Sequence, residues 1–217
     1  MKKYISLFFI CLLVFLVSCD INTPEGPEQD YTKSGKHRGH EYVDLGLTVR
    51  WATCNLGAES LEEFGDYYAW GEMETKQVYD STTYQHTLER YGDKNEDNKI
   101  YMLRKFDVAA QKWGGNWRMP THEEFMELRN WCEWKKLSVN GVNGYKVTGP
   151  SGKSIFLPSA GCKRGNEHVG ASLFGRYWSN TSYAHTDVAI SLFTDITGEH
   201  FIGDFVYEGL TVRPVCP

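Results

Sequence analysis

DVAAQKWGGNWRMPTHEEFMELRNWCEW, residues 107–134, carries the clearest structural signals in the chain. The Thr121 hydroxyl stands where it can accept from the free N–H groups of a helix start, and Glu124, three residues later, completes a capping box. Pro120 ends the preceding extended segment, because proline disfavours helical angles in the residue before it. The apolar residues that follow at helical spacing are Phe125, Leu128 and Cys132. The pattern predicts an amphipathic helix.

A shorter helix is predicted just upstream of this one. Val108, Ala109 and Trp113 provide its apolar residues. The pair Gly114-Gly115 ends it, since glycine readily adopts the left-handed angles that close a helix. Asn116–Met119 then predicts a short strand. The predicted order is therefore helix, Gly-Gly turn, strand, helix.

The chain after these helices is rich in strand and turn patterns. Tyr145–Thr148 and Lys153–Leu157 flank the turn residues Gly149-Pro150-Ser151-Gly152, which predicts a β-hairpin. Four further strands are predicted: Arg176–Asn180, Val188–Asp195, Glu199–Phe205 and Leu210–Val215. Long loops are predicted at about Thr75–Lys99 and Gly161–Gly175.

Residues 1–18 have the features of a signal peptide. Lys2-Lys3 precedes the apolar run Leu7–Val17, which is too short to span a membrane as a stable helix. The segment Leu16–Cys19 resembles the lipobox of bacterial lipoproteins, and this implies cleavage before Cys19 and diacylglycerol on its sulfur. An ordinary secretory peptide with a chance cysteine is the alternative.

The remaining chain divides into a tether and one domain. Residues 19–40 are rich in Pro, Glu, Gly, Lys and Ser and have little apolar surface to bury, so they predict a flexible tether. Residues 41–217 predict a single domain. The formal net charge is −5 and no basic block stands out, which argues against nucleic acid as a partner.

Cysteines and acidic residues offer few metal or catalytic signals. Four cysteines follow Cys19, and an even number in an exported chain favours disulfides over zinc, with three pairings open. These residues are Cys54, Cys132, Cys162 and Cys216. Asp93, Asn95 and Asp97 alternate as in a calcium loop, but the required glycine and glutamate are missing, so a solvated loop is favoured and no metal or other cofactor is predicted. No G-x-S-x-G, H-E-x-x-H or P-loop motif occurs, and no catalytic residue is predicted.

Six motifs, in order along the chain, resemble the Fibrobacter succinogenes major paralogous domain. They are WATCNLG (51–57), DYYAWGE (66–72), WGGNWRMPTHEEF (113–125), FLPSAG (156–161), YWSNT (177–181) and LTVRPVC (210–216). The WRMPTHEE segment is also similar to one in formylglycine-generating enzymes and related C-type lectin-like domains. The resemblance implies an α+β, C-type lectin-like fold, with two helices packed on small twisted antiparallel β-sheets and long irregular loops.

The resemblance also implies particular site residues. In such a fold Cys54–Cys132 and Cys162–Cys216 are the expected disulfides. The long loops would form the binding surface, and aromatic and amide side chains near them are ligand candidates: Tyr79, Tyr84, Phe174, Tyr177, Trp178 and Asn180. Trp178 has core packing as its alternative role, and neither the E-P-N nor the Q-P-D motif of calcium-dependent lectins occurs.

The expected function is non-catalytic binding of a glycan or a protein at the cell surface. The lipid on Cys19 would anchor the protein to the membrane of the cell envelope, at the outer membrane and facing outward. A structural component of a surface complex without a free ligand is one alternative. An enzyme of the formylglycine-generating type is a weaker one, because the closely spaced cysteine pair of that family is missing.

Overall fold

The computed structural model describes residues 31–85, 91–94, 96–183 and 186–217, with the backbone alone for 91–94. The predicted signal peptide, Cys19 and most of the predicted tether lie outside these residues. Within them, no helix has both the length and the apolar character needed to cross a membrane. The described part of the predicted tether includes a strand, Gly35–His37, so regular structure begins before Glu41.

The described chain forms fourteen strands, two α-helices and a short 3-10 helix at Arg104–Phe106. The strands are β1 (Gly35–His37), β2 (His40–Val43), β3 (Arg50–Ala52), β4 (Tyr91–Lys94), β5 (Lys99–Met102), β6 (Glu133–Val139), β7 (Val142–Thr148), β8 (Ser154–Pro158), β9 (Cys162–Arg164), β10 (Glu167–Val169), β11 (Gly175–Tyr183), β12 (Val188–Asp195), β13 (Gly198–Phe205) and β14 (Val215–Cys216). The helices are α1 (Val108–Trp113) and α2 (His122–Trp131).

The paired strands form four antiparallel sheets. The largest has the order β13-β12-β11-β5-β4, and a second has the order β1-β2-β3-β14. A meander, β6-β7-β8, and the hairpin β9-β10 complete the set. The strand predictions for β7, β8, β11, β12 and β13 are confirmed to within a few residues. The predicted strand Leu210–Val215 is reduced to the two residues of β14.

The predicted α+β, C-type lectin-like architecture is wrong, because the fold is mainly β-sheet. Helix α2 has the predicted capping box, with the Thr121 hydroxyl accepting from the Glu124 N–H at 3.1 Å. The helix ends at Trp131, however, and Cys132 is already extended. Seven residue pairs then join β6 to β7. No strand was predicted for β6, because pairing with a partner further along the chain decides its conformation.

Two large apolar clusters fill the interior. One contains Trp51 and Phe125, whose ring centroids lie 5.4 Å apart, so it joins β3 to helix α2. The other contains Trp70 and Trp178, both fully buried. The indole N–H of Trp70 donates to the Ser179 carbonyl at 2.8 Å, and that of Trp178 donates to the Tyr68 carbonyl, so both polar atoms of this cluster are satisfied within the protein.

The four described cysteines are free thiols, so the predicted disulfides Cys54–Cys132 and Cys162–Cys216 are not formed. Each thiol lies in a different environment. Cys132 packs against the Trp51 cluster, Cys162 lies in the Trp178 cluster, and Cys216 contacts a small cluster with Trp117. Burial raises the pKa of the Cys132 thiol to about 12. These cysteines act as small apolar side chains.

Candidate functional site

The six ligand candidates predicted from the sequence are buried or partly buried. Tyr79, Tyr177, Trp178 and Asn180 are buried, whereas Tyr84 and Phe174 are partly buried and pack against the core. The Trp178 N–H donates to the Tyr68 carbonyl at 2.8 Å, and the Tyr79 hydroxyl donates to the Tyr67 carbonyl at 2.6 Å. Tyr177, Trp178 and Asn180 therefore lie in the interior, as the core alternative for Trp178 predicts, whereas Tyr79 lines the groove described below.

The weak metal candidates belong to a hairpin. Asp93 lies on β4, Asp97 follows in the turn to β5, and Asn95 lies outside the described residues. Asn98 takes a left-handed φ of 57°, which closes the turn. Across the described ranges, no group of three or more His, Cys, Asp or Glu side chains is arranged to hold a metal ion.

A groove of about 370 Å³ lies beside the C-terminal end of β13, and we call it the β13 groove. Three separate parts of the chain line it: the loop that contains Tyr79, the β9–β10 turn, and the segment from β13 onward. Its lining residues are Tyr79, Asp80, Arg164, Gly165, Gly203, Asp204, Phe205, Tyr207 and Glu208. Mutual hydrogen bonds between the backbones of Tyr79 and Gly165, at 2.7 and 2.8 Å, hold the first two parts together.

An aromatic pair forms one side of the β13 groove. The rings of Phe205 and Tyr207 are almost parallel, with an interplanar angle of 8° and a centroid separation of 5.1 Å. Phe205 is 48% exposed, so part of its ring is accessible to solvent. Each ring supports the other, so the pair offers a rigid apolar surface to solvent.

A layer of charged side chains lies behind the aromatic pair. Asp204 and Glu208 are buried, and Arg176 contacts both carboxylates. The second Asp204 oxygen accepts from the Ser191 hydroxyl at 2.5 Å. Arg164, from β9, forms an ion pair with Glu208, and its Nε lies 2.9 Å from Glu208 Oε1. Two guanidinium groups and two carboxylates are therefore held together in one network.

Burial determines the protonation behaviour of these carboxyl groups. It raises the pKa of Asp204, against the opposing effect of the Ser191 hydrogen bond and of Arg176. It also raises the pKa of Glu208, and the negative charge of Asp204 raises it further. Glu208 Oε2 lies 3.5 Å from Arg176 Nη1 and has no hydrogen-bond donor among the described residues. Both carboxyl groups consequently hold a proton to higher pH than they would in the unfolded chain.

A second groove, of about 340 Å³, lies between the β6–β7 hairpin and the β12–β13 turn. Its polar groups are largely used to hold its own walls together. The Lys136 ammonium donates to the Ile196 carbonyl, and the Tyr145 hydroxyl donates to the Asp195 carbonyl at 2.6 Å. The Tyr145 ring is buried, so no aromatic face is offered. This β6–β7 groove is the weaker candidate for ligand binding.

Of the residues that line the β13 groove, Tyr79 was predicted as a ligand candidate, and Asp80, Arg164 and Gly165 lie in the two long loops predicted to bind, whereas the contribution of β13 and of Phe205 and Tyr207 was missed. Asp80, Arg164 and Phe205 are far apart in the chain, and only the folded structure brings them to one surface. The one local signal is the F-V-Y triplet that begins at the last residue of β13, in which Phe205 and Tyr207 flank the buried Val206. Comparisons of the chain with protein-family models, curated proteins and solved structures find no match.

Proposed function

We propose that this protein is a non-catalytic glycan-binding domain and that the β13 groove is its binding site. The observation that carries the proposal is the stacked pair of exposed Phe205 and partly buried Tyr207 at the edge of a groove with charged side chains. An apolar ring face packs against the C–H face of a sugar, and nearby charged groups hydrogen-bond its hydroxyls. A groove with aromatic walls and a few fixed polar groups suits a small polar ligand.

Two polar side chains are suited to contact sugar hydroxyls. Arg164 is half-exposed, with 46% of its side chain accessible, and it is fixed by Glu208. Asp80 uses Oδ1 to accept from Thr82 and Thr83, and among the described residues Oδ2 has no hydrogen-bond donor. The Thr82 hydrogen bond lowers the pKa of Asp80, so this carboxylate stays charged and able to accept.

The carboxylates of the charged layer support binding more than catalysis. A general acid or nucleophile must reach the reacting atoms. Asp204 is only 3% exposed, and both of its oxygens are engaged, by Arg176 and by Ser191. Glu208 is 5% exposed and its Oε1 holds Arg164. These groups are committed to building the wall of the groove.

The proposal includes attachment to the cell envelope. Its support is the N-terminal sequence alone, in which an apolar run ends at Cys19 in a lipobox-like context. Acyl chains on a terminal cysteine contribute about 0.8 kcal/mol for each methylene that enters the bilayer, so a multiply acylated terminus would hold the protein firmly. The domain would then bind glycans next to the membrane surface.

Replacing Phe205 with alanine is expected to weaken glycan binding by about tenfold or more, which corresponds to about 1.4 kcal/mol. The physical reason is the loss of the exposed ring face, while the fold is retained because Phe205 lies at the surface. The ligand would first be found by screening the protein on a glycan array, with calcium and with a chelator. Affinities would then be measured by calorimetry.

Trp131→Ala is the matched control for this experiment. Trp131 is an aromatic side chain on α2 with 70% exposure, and it does not line the β13 groove. We expect Trp131→Ala to bind as tightly as the unmodified chain. The proposal fails if the array shows no glycan binding, or if Phe205→Ala binds the identified glycan with unchanged affinity.

A further inference from the structure

We infer that the glycan bound in the β13 groove carries a carboxylate, and that the guanidinium group of Arg164 recognises it. This inference rests on the proposed function and names the ligand class of the same site. Its basis is the position of Arg164, which is the exposed cation on the groove and is oriented from behind by a buried carboxylate.

The ion pair with Glu208 leaves the two terminal nitrogens of Arg164, Nη1 and Nη2, available for a ligand. Glu208 Oε1 contacts Nε at 2.9 Å, and among the described residues neither Nη1 nor Nη2 has a hydrogen-bond partner. A guanidinium group has a rigid planar arrangement of donors that matches the two oxygens of a carboxylate. Fixing the group at Nε reduces the side-chain entropy that ligand binding would otherwise cost.

The charges around Arg164 permit an anionic ligand. Behind the groove wall, Arg176 contacts both buried carboxylates, so the negative charge of Glu208 is balanced by Arg176 as well as by Arg164. Burial raises the pKa of Asp204 and of Glu208, which opposes the build-up of negative charge in this wall. Asp80 is the carboxylate on the groove that lies outside the buried network, and it is suited to accept from hydroxyls of the same sugar.

The role of Arg164 is tested with the Arg164→Gln variant, and Arg129→Gln is the control. The two arginines are similarly exposed, at 46% and 44% of the side chain, and each pairs with a glutamate, but Arg129 lies on α2 and its partner is Glu199. The probes are glycan pairs that differ in one carboxylate: uronic-acid oligosaccharides with their neutral hexose counterparts, and sialosides with their carboxyl-reduced forms. Affinity would be measured for every variant and probe, with thermal unfolding as a check on folding.

The loss of affinity is expected for the acidic probes only. Arg164→Gln should bind them about tenfold or more weakly, and should bind the neutral counterparts with little change. Arg164→Lys keeps the charge but lacks the planar pair of donors, and should also lose affinity for the acidic probes. Arg129→Gln should behave as the unmodified chain.

Two further outcomes separate this inference from the proposed function. If the protein binds neutral glycans as tightly as acidic ones, or if Arg164→Gln retains acidic binding, the inference is overturned while glycan binding at the groove stands. If no glycan of either kind binds, the proposed function itself is overturned.

Discussion

Replacing Arg213 with alanine is expected to lower the free energy of unfolding by more than about 3 kcal/mol, because several buried oxygen atoms lose their only charged donor. Arg213 is fully buried and its guanidinium donates to oxygens on separate parts of the chain. These acceptors are Asn55 Oδ1 at 2.8 Å, the Ala52 carbonyl at 3.1 Å, the Thr53 carbonyl at 2.9 Å and the Phe156 carbonyl at 2.8 Å. The side chain therefore ties β3 and β8 to the C-terminal segment.

The experiment is urea unfolding of the Arg213→Ala, Arg213→Met and Arg129→Ala variants. Arg213→Met retains most of the side-chain volume without any donor, so a similarly large loss shows that the hydrogen bonds matter more than packing. Arg129 is partly exposed, and its removal should change stability by less than about 1 kcal/mol. A loss below about 1 kcal/mol for both Arg213 variants would contradict this account of the core.

The second large effect is expected at Asp107, where alanine should cost about 2–4 kcal/mol of unfolding free energy. The buried carboxylate caps α1 by accepting from the Ala110 N–H at 2.9 Å. It also accepts from the Met119 N–H, at 3.1 and 2.9 Å through its two oxygens. Alanine would remove a helix cap and leave the Met119 donor buried without a partner.

Asp195→Ala is the control for Asp107→Ala in the same unfolding assay. Asp195 accepts from the Thr197 N–H at 2.7 Å in an exposed turn, so water can replace the lost acceptor. We expect a change of less than about 1 kcal/mol for this variant. Equal losses of unfolding free energy at the two positions would contradict the view that the Asp107 contacts are costly to lose because they are buried.

Local sequence signals identified the elements whose conformation depends on neighbouring residues. The Thr121–Glu124 capping box lies within four residues, and the structure confirms it. The hairpin β7–β8 was predicted from its turn residues, and it is confirmed together with the predicted strands β11–β13. Strand β6 was missed, since its lysines and glutamate are equally suited to a helix and only pairing with β7 makes it a strand.

The two long loops that contribute Tyr79, Asp80 and Arg164 to the candidate site were predicted to bind, but the part that β13 contributes depends on long-range contacts and could not be predicted in this way. Aromatic residues near the loops were interpreted as a sugar-binding surface, but Tyr177 and Trp178 are fully buried. Aromatic composition does not distinguish a ring in the core from a ring at the surface. The β13 groove instead combines Asp80, Arg164 and Phe205, whose proximity arises from the β9–β10 hairpin and the end of β13.

The central claim is that the β13 groove binds a glycan. The most direct test is to titrate the isotope-labelled protein with the glycan that gives the strongest array signal, and to map the changes in its amide NMR signals. The account predicts that the largest changes occur at Gly165, Phe205 and Tyr207. Changes centred on Asn143 and Ile196 in the β6–β7 groove, with the β13 groove unaffected, would contradict it.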